Sequence, residues 1–81
     1  MDEENKETVV LGMISRGHSK FNKISQEAKI EPKELELILE KLESSGLIRV
    51  KEEKGWLGTK IDIKPTEEGY REFERQLKNL Q

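Results

Sequence analysis

The chain has 81 residues, of which 32% are hydrophobic and 40% are charged, and it contains no cysteine. Its length allows one small domain with a core near the lower limit for independent folding, and the missing cysteine excludes disulfides and thiolate metal sites. Acidic residues outnumber basic ones by 17 to 15, and this net charge of −2 argues weakly against a general nucleic-acid binder. Because no apolar run is long enough to span a bilayer, we expect a soluble, cytoplasmic protein.

Apolar residues at helical spacing predict four helices, and β-forming residues between the third and fourth predict a hairpin. Gly17 and Gly46 follow the first and third helices, where a left-handed cap favours glycine. Ser19 and Thr66 are candidate N-caps of the second and fourth helices. The link between the second and third helices spans only three residues, which is helix-turn-helix geometry. The expected elements are a flexible start over residues 1–6, helices over residues 7–16, 20–29, 32–45 and 66–80, and a hairpin over residues 47–64.

The third helix has the clearest apolar pattern in the chain. Its stripe recurs at i, i+3, i+4 and i+7 and consists of Leu35, Ile38, Leu39 and Leu42. Pro32 suits the first turn, since its missing N–H would have no helical partner there. After Gly46 the residues become β-forming, so this helix is expected to lead directly into a strand.

The hairpin carries an adjacent tryptophan and leucine, Trp56 and Leu57. Strands are expected over residues 47–51 and 60–64, with the turn within residues 52–59. Neighbouring residues of an extended hairpin point to opposite faces, so at most one of the two side chains can pack inward. Trp56 either folds back over the small core or stands at the tip as a contact for a nucleic-acid groove or a protein.

The last helix has apolar residues spaced 3, 4 and 3 apart, namely Tyr70, Phe73, Leu77 and Leu80. This spacing resembles the a/d seam of a coiled coil. The seam either completes the core against the first helix or forms a homodimer contact.

Three stretches together resemble a winged helix-turn-helix domain: ISQEAKIEPKEL, LEKLESSGLIRV and IDIKPTEEG. The resemblance covers nearly the whole chain and implies an α+β, mostly α fold, with a three-helix core, a two-stranded hairpin called the wing, and a C-terminal helix. The chain is similar to MarR-like and related small archaeal winged-helix regulators. Its Glu- and Lys-rich composition is typical of proteins from hot environments. Lys29 and Glu31 depart from the usual turn glycine and Ser or Thr cap.

The resemblance implies transcription regulation through double-stranded DNA, with terminal helices forming a homodimer. It places six residues of the third helix toward a DNA groove: Lys33, Glu34, Glu36, Leu37, Glu40 and Lys41. Residues 16–30 and 47–64 have local net charges of +3 and +2, whereas residues 31–46 have −3. Because glutamates meet phosphate repulsion, we expect the second helix and the wing to carry most contacts.

The expected DNA contacts fall into two groups. Phosphate contacts are assigned to Lys20, Lys23, Lys54 and Lys60, and groove contacts to Lys33, Lys41 and Trp56. The alternative is a winged helix that binds protein in a transcription or replication assembly, through exposed Leu37 and the Trp56/Leu57 tip. Catalysis, cofactors and metals are not expected, since His18 is the only histidine and the glycines match no nucleotide-binding motif.

Overall fold

The structure is a computed structural model that describes residues 6–79. It confirms the winged helix-turn-helix fold, with a mostly helical chain and a two-stranded antiparallel hairpin. Within the described residues, no helix is both long and apolar enough to cross a membrane. The elements are α1 Lys6–Ser15, α2 Phe21–Ala28, α3 Pro32–Ser44, β1 Ile48–Gly55, β2 Gly58–Pro65 and α4 Glu67–Asn79. Residues 1–5 of the start that was expected to be flexible lie outside the described part, and Lys6 belongs to α1.

The core forms around α1, which touches α2, α3, β2 and α4. Because α1 meets neighbours on several sides, Val10, Leu11 and Ile14 are all fully buried. The predicted stripe of α3 is buried in full: Leu35, Ile38, Leu39 and Leu42. These side chains supply much of the apolar burial that stabilises so small a domain.

The turn between α2 and α3 places a lysine in the left-handed conformation. Lys29 has φ 57°, which costs roughly 1 kcal/mol in a residue other than glycine. The following residue offsets that cost, because Ile30 is buried and its carbonyl accepts a 2.6 Å hydrogen bond from Ser25 Oγ. The turn is therefore fixed by Ile30 rather than by a glycine.

The expectation that Ser19 caps α2 is wrong. The N-cap is Lys20, which is extended and makes no side-chain cap hydrogen bond. Ser19 and Lys20 instead lie along β2, where the Ser19 carbonyl accepts the Ile63 N–H at 3.1 Å and Lys20 forms a bridge with Asp62. Pairing with the hairpin therefore holds this segment in an extended conformation.

Thr66 joins α3, β1 and α4 at one junction, and its predicted role as an N-cap is confirmed. Its hydroxyl accepts the Gly69 N–H at 3.0 Å and donates to the Gly46 carbonyl at 2.7 Å. The Thr66 N–H donates to the Leu47 carbonyl at 3.0 Å. Gly46 has φ 78°, a left-handed cap that directs the chain out of α3 toward this contact.

The wing is longer than the predicted strands and ends in a two-residue turn. Gly55 pairs with Gly58, so Trp56 and Leu57 form the tip. Their side chains are 93% and 86% exposed. Of the two alternatives for Trp56, the structure shows the exposed one, because the tip stands about 13 Å beyond Ile61, the outermost hairpin residue that packs against the core.

The last helix turns a different face inward than its spacing predicts. Gly69 is buried against the Leu47 carbonyl, and Phe73 packs on Gly12 of α1. This close approach orients α4 so that Tyr70 and Leu77 lie at the flank, 49% and 44% exposed. The expectation that both complete the core is therefore wrong, and Leu80 lies outside the described residues.

Replacing Gly69 by alanine should destabilise the fold by about 1–3 kcal/mol, because the added Cβ would overlap the Leu47 carbonyl. Urea denaturation measures the change. Alanine is otherwise favoured in a helix by about 1 kcal/mol over glycine, so unchanged or raised stability would contradict the close contact. Glu74→Ala, on the exposed side of α4, is the matched control and should shift stability by less than about 0.5 kcal/mol.

Candidate nucleic-acid interface

The two faces of the wing differ in composition because successive side chains of a strand alternate. Ile48 and Ile63 are buried, so residues of their parity form the inner face, which turns toward the helices. The opposite face is the outer face of the wing. Its side chains are Arg49, Lys51, Glu53, Lys60, Asp62 and Lys64.

The two acids of the outer face are each paired with a lysine. Glu53 Oε2 lies 3.9 Å from Lys51 Nζ, and Asp62 Oδ1 lies 3.1 Å from Lys20 Nζ on the segment before α2. Lys20, the N-cap of α2, therefore joins the start of that helix to the outer face. Since both acids are engaged, the remaining charge of this face is positive.

Three cations of the outer face make no ion pair within residues 6–79: Arg49, Lys60 and Lys64. Arg49 and Lys64 are direct cross-strand partners. Like charges placed opposite one another destabilise a hairpin, and an anion between them would relieve the repulsion. Sequence reasoning left Arg49 and Lys64 out of the site, although a register set by a two-residue turn would have placed them side by side.

The cations of the expected site are distributed over three surfaces. Lys23 is exposed on α2, Lys33 is exposed in the first turn of α3, and Lys54 lies next to the tip. Lys41 Nζ lies 3.5 Å from Glu7 Oε2, so this side chain faces α1. The structure therefore brings Lys20 and Lys60 together along β2, while Lys41 lies on the α1 side of α3.

Charged side chains on the side of α3 that faces α1 form ion pairs, whereas those on the side that faces the wing form none within residues 6–79. Lys6 Nζ lies 2.9 Å from Glu34 Oε2, which together with the Lys41 contact links α3 to α1. Glu36, Glu40 and Glu43 are exposed on the other side. Phosphate approaching between α3 and the wing would meet these carboxylates.

The described residues contain no group of three histidine, cysteine, aspartate or glutamate side chains that could hold a metal ion. His18 lies beside a single acid, with Nδ1 3.8 Å from Glu27 Oε1. Charge and exposed apolar side chains, rather than a reactive cluster, distinguish the surface of residues 6–79.

No family model matches the sequence, and no curated protein does. Several solved structures share its fold. A PadR family transcription regulator from Clostridium difficile has a TM-score of 0.80 at 15% identity, over 91% of this chain and 84% of its own. A zinc-responsive MarR family member, ZitR from Lactococcus lactis, has a TM-score of 0.76 at 17% sequence identity. The YusO protein from Bacillus subtilis has a TM-score of 0.73 at 24% sequence identity.

The alignments cover most of this chain but differ in how much of the other protein they include. They span 95% and 89% of this chain but only 53% and 51% of ZitR and YusO, so the chain covers about half the length of these two proteins. At such low identity the similarity establishes the winged-helix fold and leaves the function to be argued from the surface.

The contact with Lys20 lowers the pKa of Asp62 below its usual value, first through a hydrogen bond and then through charge attraction. Lys20→Met should raise this pKa toward the ordinary value of an aspartate, measured by an NMR titration of the carboxyl carbon. The pKa of Asp62 is lower in the folded protein than in the unfolded chain. The ion pair therefore stabilises the fold fully at pH values above the unfolded pKa, and this stabilisation is lost as the pH falls through the folded pKa. The stability difference between the two proteins should therefore disappear in acid, and an unchanged Asp62 titration would show that the pair is absent in solution.

Proposed function

We propose that this chain is a DNA-binding winged-helix protein of transcription regulation that contacts phosphates through α2 and the outer face of the wing. The observation that carries the proposal is the row of cations on the outer face. Among residues 6–79, Arg49, Lys60 and Lys64 form no close ion pair, although Lys60 lies opposite Glu53 and both lysines flank Asp62, so binding phosphate would break no close ion pair. The transcription regulators with the same fold support this assignment.

The proposed docking uses the edge of the domain rather than the middle of α3. Lys20 and Lys23 extend the basic row onto α2, and Lys54 and Trp56 extend it to the tip. The glutamates of α3 would keep most of that helix away from the phosphates, leaving Lys33 in its first turn as the closest cation. Lys41 would first have to leave Glu7 to take part.

A protein-binding role is the second candidate, and it is supported by three exposed apolar side chains. Leu37 on α3 is 61% exposed, and Trp56 and Leu57 at the tip are more exposed still. Exposed aromatic and aliphatic side chains of this kind are common anchors in protein interfaces. Absence of DNA binding would favour this candidate.

A homodimer through α4 is also proposed. Tyr70 and Leu77 present a half-exposed apolar flank, with Phe73 between them in the sequence. Two such flanks packed around a two-fold axis would cover each other, as in an isologous interface.

The DNA proposal predicts that Lys60→Glu/Lys64→Glu weakens binding to a pool of duplex DNA fragments and reduces the salt dependence. Each lost phosphate contact lowers the slope of log K against log salt by about 0.9, so the double variant should lose about 2. Fluorescence anisotropy at several salt concentrations measures both quantities. Arg71→Glu/Lys78→Glu on α4 makes the same change in net charge and should have a smaller effect.

An NMR titration of the wild-type protein with duplex DNA tests the location of the contact. The chain has one tryptophan, so the indole signal of Trp56 reports the tip directly. Chemical-shift changes are expected along the wing and at the start of α2. Absence of binding at low salt would reject the DNA proposal.

The α4 proposal predicts that Tyr70→Glu shifts a monomer–dimer equilibrium toward monomer, because it would bury a charge in the interface. Sedimentation velocity over a concentration series measures the shift. Leu37→Glu, a charge placed in an exposed leucine of α3, is the control and should leave the equilibrium unchanged. A wild-type protein that is monomeric throughout would rule out this dimer.

A further inference from the structure

An apolar groove lies between α3 and the inner face of the wing. Its floor consists of Phe21, Val50 and Ile61, which are half-buried at the edge of the core. The groove has a volume of about 460 Å³, within the range of roughly 300–1,000 Å³ typical of ligand sites. The fold therefore leaves an apolar surface with room for a few side chains.

The rim of this groove is entirely acidic. Glu36, Glu40 and Glu43 of α3 line one side, and Glu52 of β1 lines the other, with no lysine or arginine among the lining residues. None of the four forms an ion pair within residues 6–79. The glutamates of α3 are spaced four and three residues apart, a spacing at which like charges repel on a helix.

The tip of the wing has the opposite character. Trp56 and Leu57 are almost fully exposed, and Lys54 and Lys60 flank them on the two strands. In residues 6–79 neither lysine forms an ion pair. The same chain thus carries a basic apolar knob that is not covered and an acidic apolar groove that is not filled.

We infer that the wing tip of one copy docks into the groove of a second copy. Trp56 and Leu57 would cover the floor formed by Phe21, Val50 and Ile61. Lys54, whose side chain has the parity of the inner face, would meet the glutamates of the rim. The contact removes two uncovered apolar surfaces and two sets of unpaired charges at once.

The length of the hairpin allows both copies to dock at once, each tip in the groove of the other copy. Its free part extends about 13 Å from Glu52 and Ile61 at the groove to the tip. Two hairpins laid antiparallel along their inner faces would therefore bring each tip to the groove of the other copy. This arrangement has a two-fold axis and closes as a dimer. It also places Lys54 of each copy near Glu52 of the other.

The expected association is weak. A tryptophan side chain buries roughly 200 Å², and a stable interface needs about 800 Å² from each partner. Two tips and the adjoining inner faces fall short of that area, so dissociation constants in the range of about 10–1,000 µM are expected. The proposal depends neither on DNA binding nor on the α4 contact.

The test is a concentration series of the full chain, from about 1 µM to 1 mM, followed by tryptophan emission and sedimentation velocity. Docking should shift the emission of Trp56 to shorter wavelength as the dimer forms. Dimerisation through α4 alone would leave Trp56 in water. Two charge-reversal variants then test the pairing: Lys54→Glu at the tip and Glu40→Lys/Glu52→Lys at the rim.

Each charge-reversal variant alone should associate about tenfold more weakly, since like charges replace opposite ones. An equimolar mixture of the two should recover association, because an acidic tip then meets a basic rim and a basic tip meets an acidic rim. Glu67→Lys/Glu68→Lys on α4 is the matched control and should leave the emission shift unchanged.

Three results would overturn the inference, provided that circular dichroism shows each variant to be folded. The first is a wild-type emission that does not change up to about 1 mM. The second is a mixture that fails to recover association. The third is loss of the emission shift in Tyr70→Glu, which would place the contact on α4.

Discussion

The hydroxyl of Thr66 holds together the three segments on which the fold depends. It links the Gly46 carbonyl, two residues before β1, to the first turn of α4, through the Gly69 N–H. Because the Thr66 N–H also binds the Leu47 carbonyl, the two ends of the wing are tied at its base. Gly69 then lets α4 approach that carbonyl more closely than any side chain would permit. The direction of the wing and the orientation of α4 both follow from this one junction.

Fixing the base of the hairpin determines what each of its faces meets. Buried Ile48 and Ile63 set the parity, and every second residue outward from them is consequently exposed. The outer face therefore carries four basic residues and two acidic ones, whereas Lys54 and Glu52 lie on the inner face. A local net charge of +2 conceals this division, since only the register assigns each residue to a face.

Sequence patterns were sufficient wherever one local rule decided the outcome. The stripe from Leu35 to Leu42, the glycine after α3 and the Thr66 cap all follow from helix periodicity and capping. The failures arose where a tertiary contact decided. Ser19 is held by β2 rather than by α2, and Tyr70 is turned outward by the glycine that precedes it. The position of Trp56 was left open because hydrophobicity gives no information about its distance from the core.

The wing also explains how an acidic domain could bind DNA without using the helix usually expected in the groove. Its outer face presents three cations that form no close ion pair within residues 6–79, whereas α3 presents carboxylates to the inner face. Lys54 and Trp56 belong to both proposed surfaces, because the proposed DNA contacts extend to the tip. A tip seated in a second copy would withdraw these residues from DNA, so the two interactions would compete. The dimer formed through the wings would then be the form with lower affinity for DNA, and protein concentration would determine which surface is occupied.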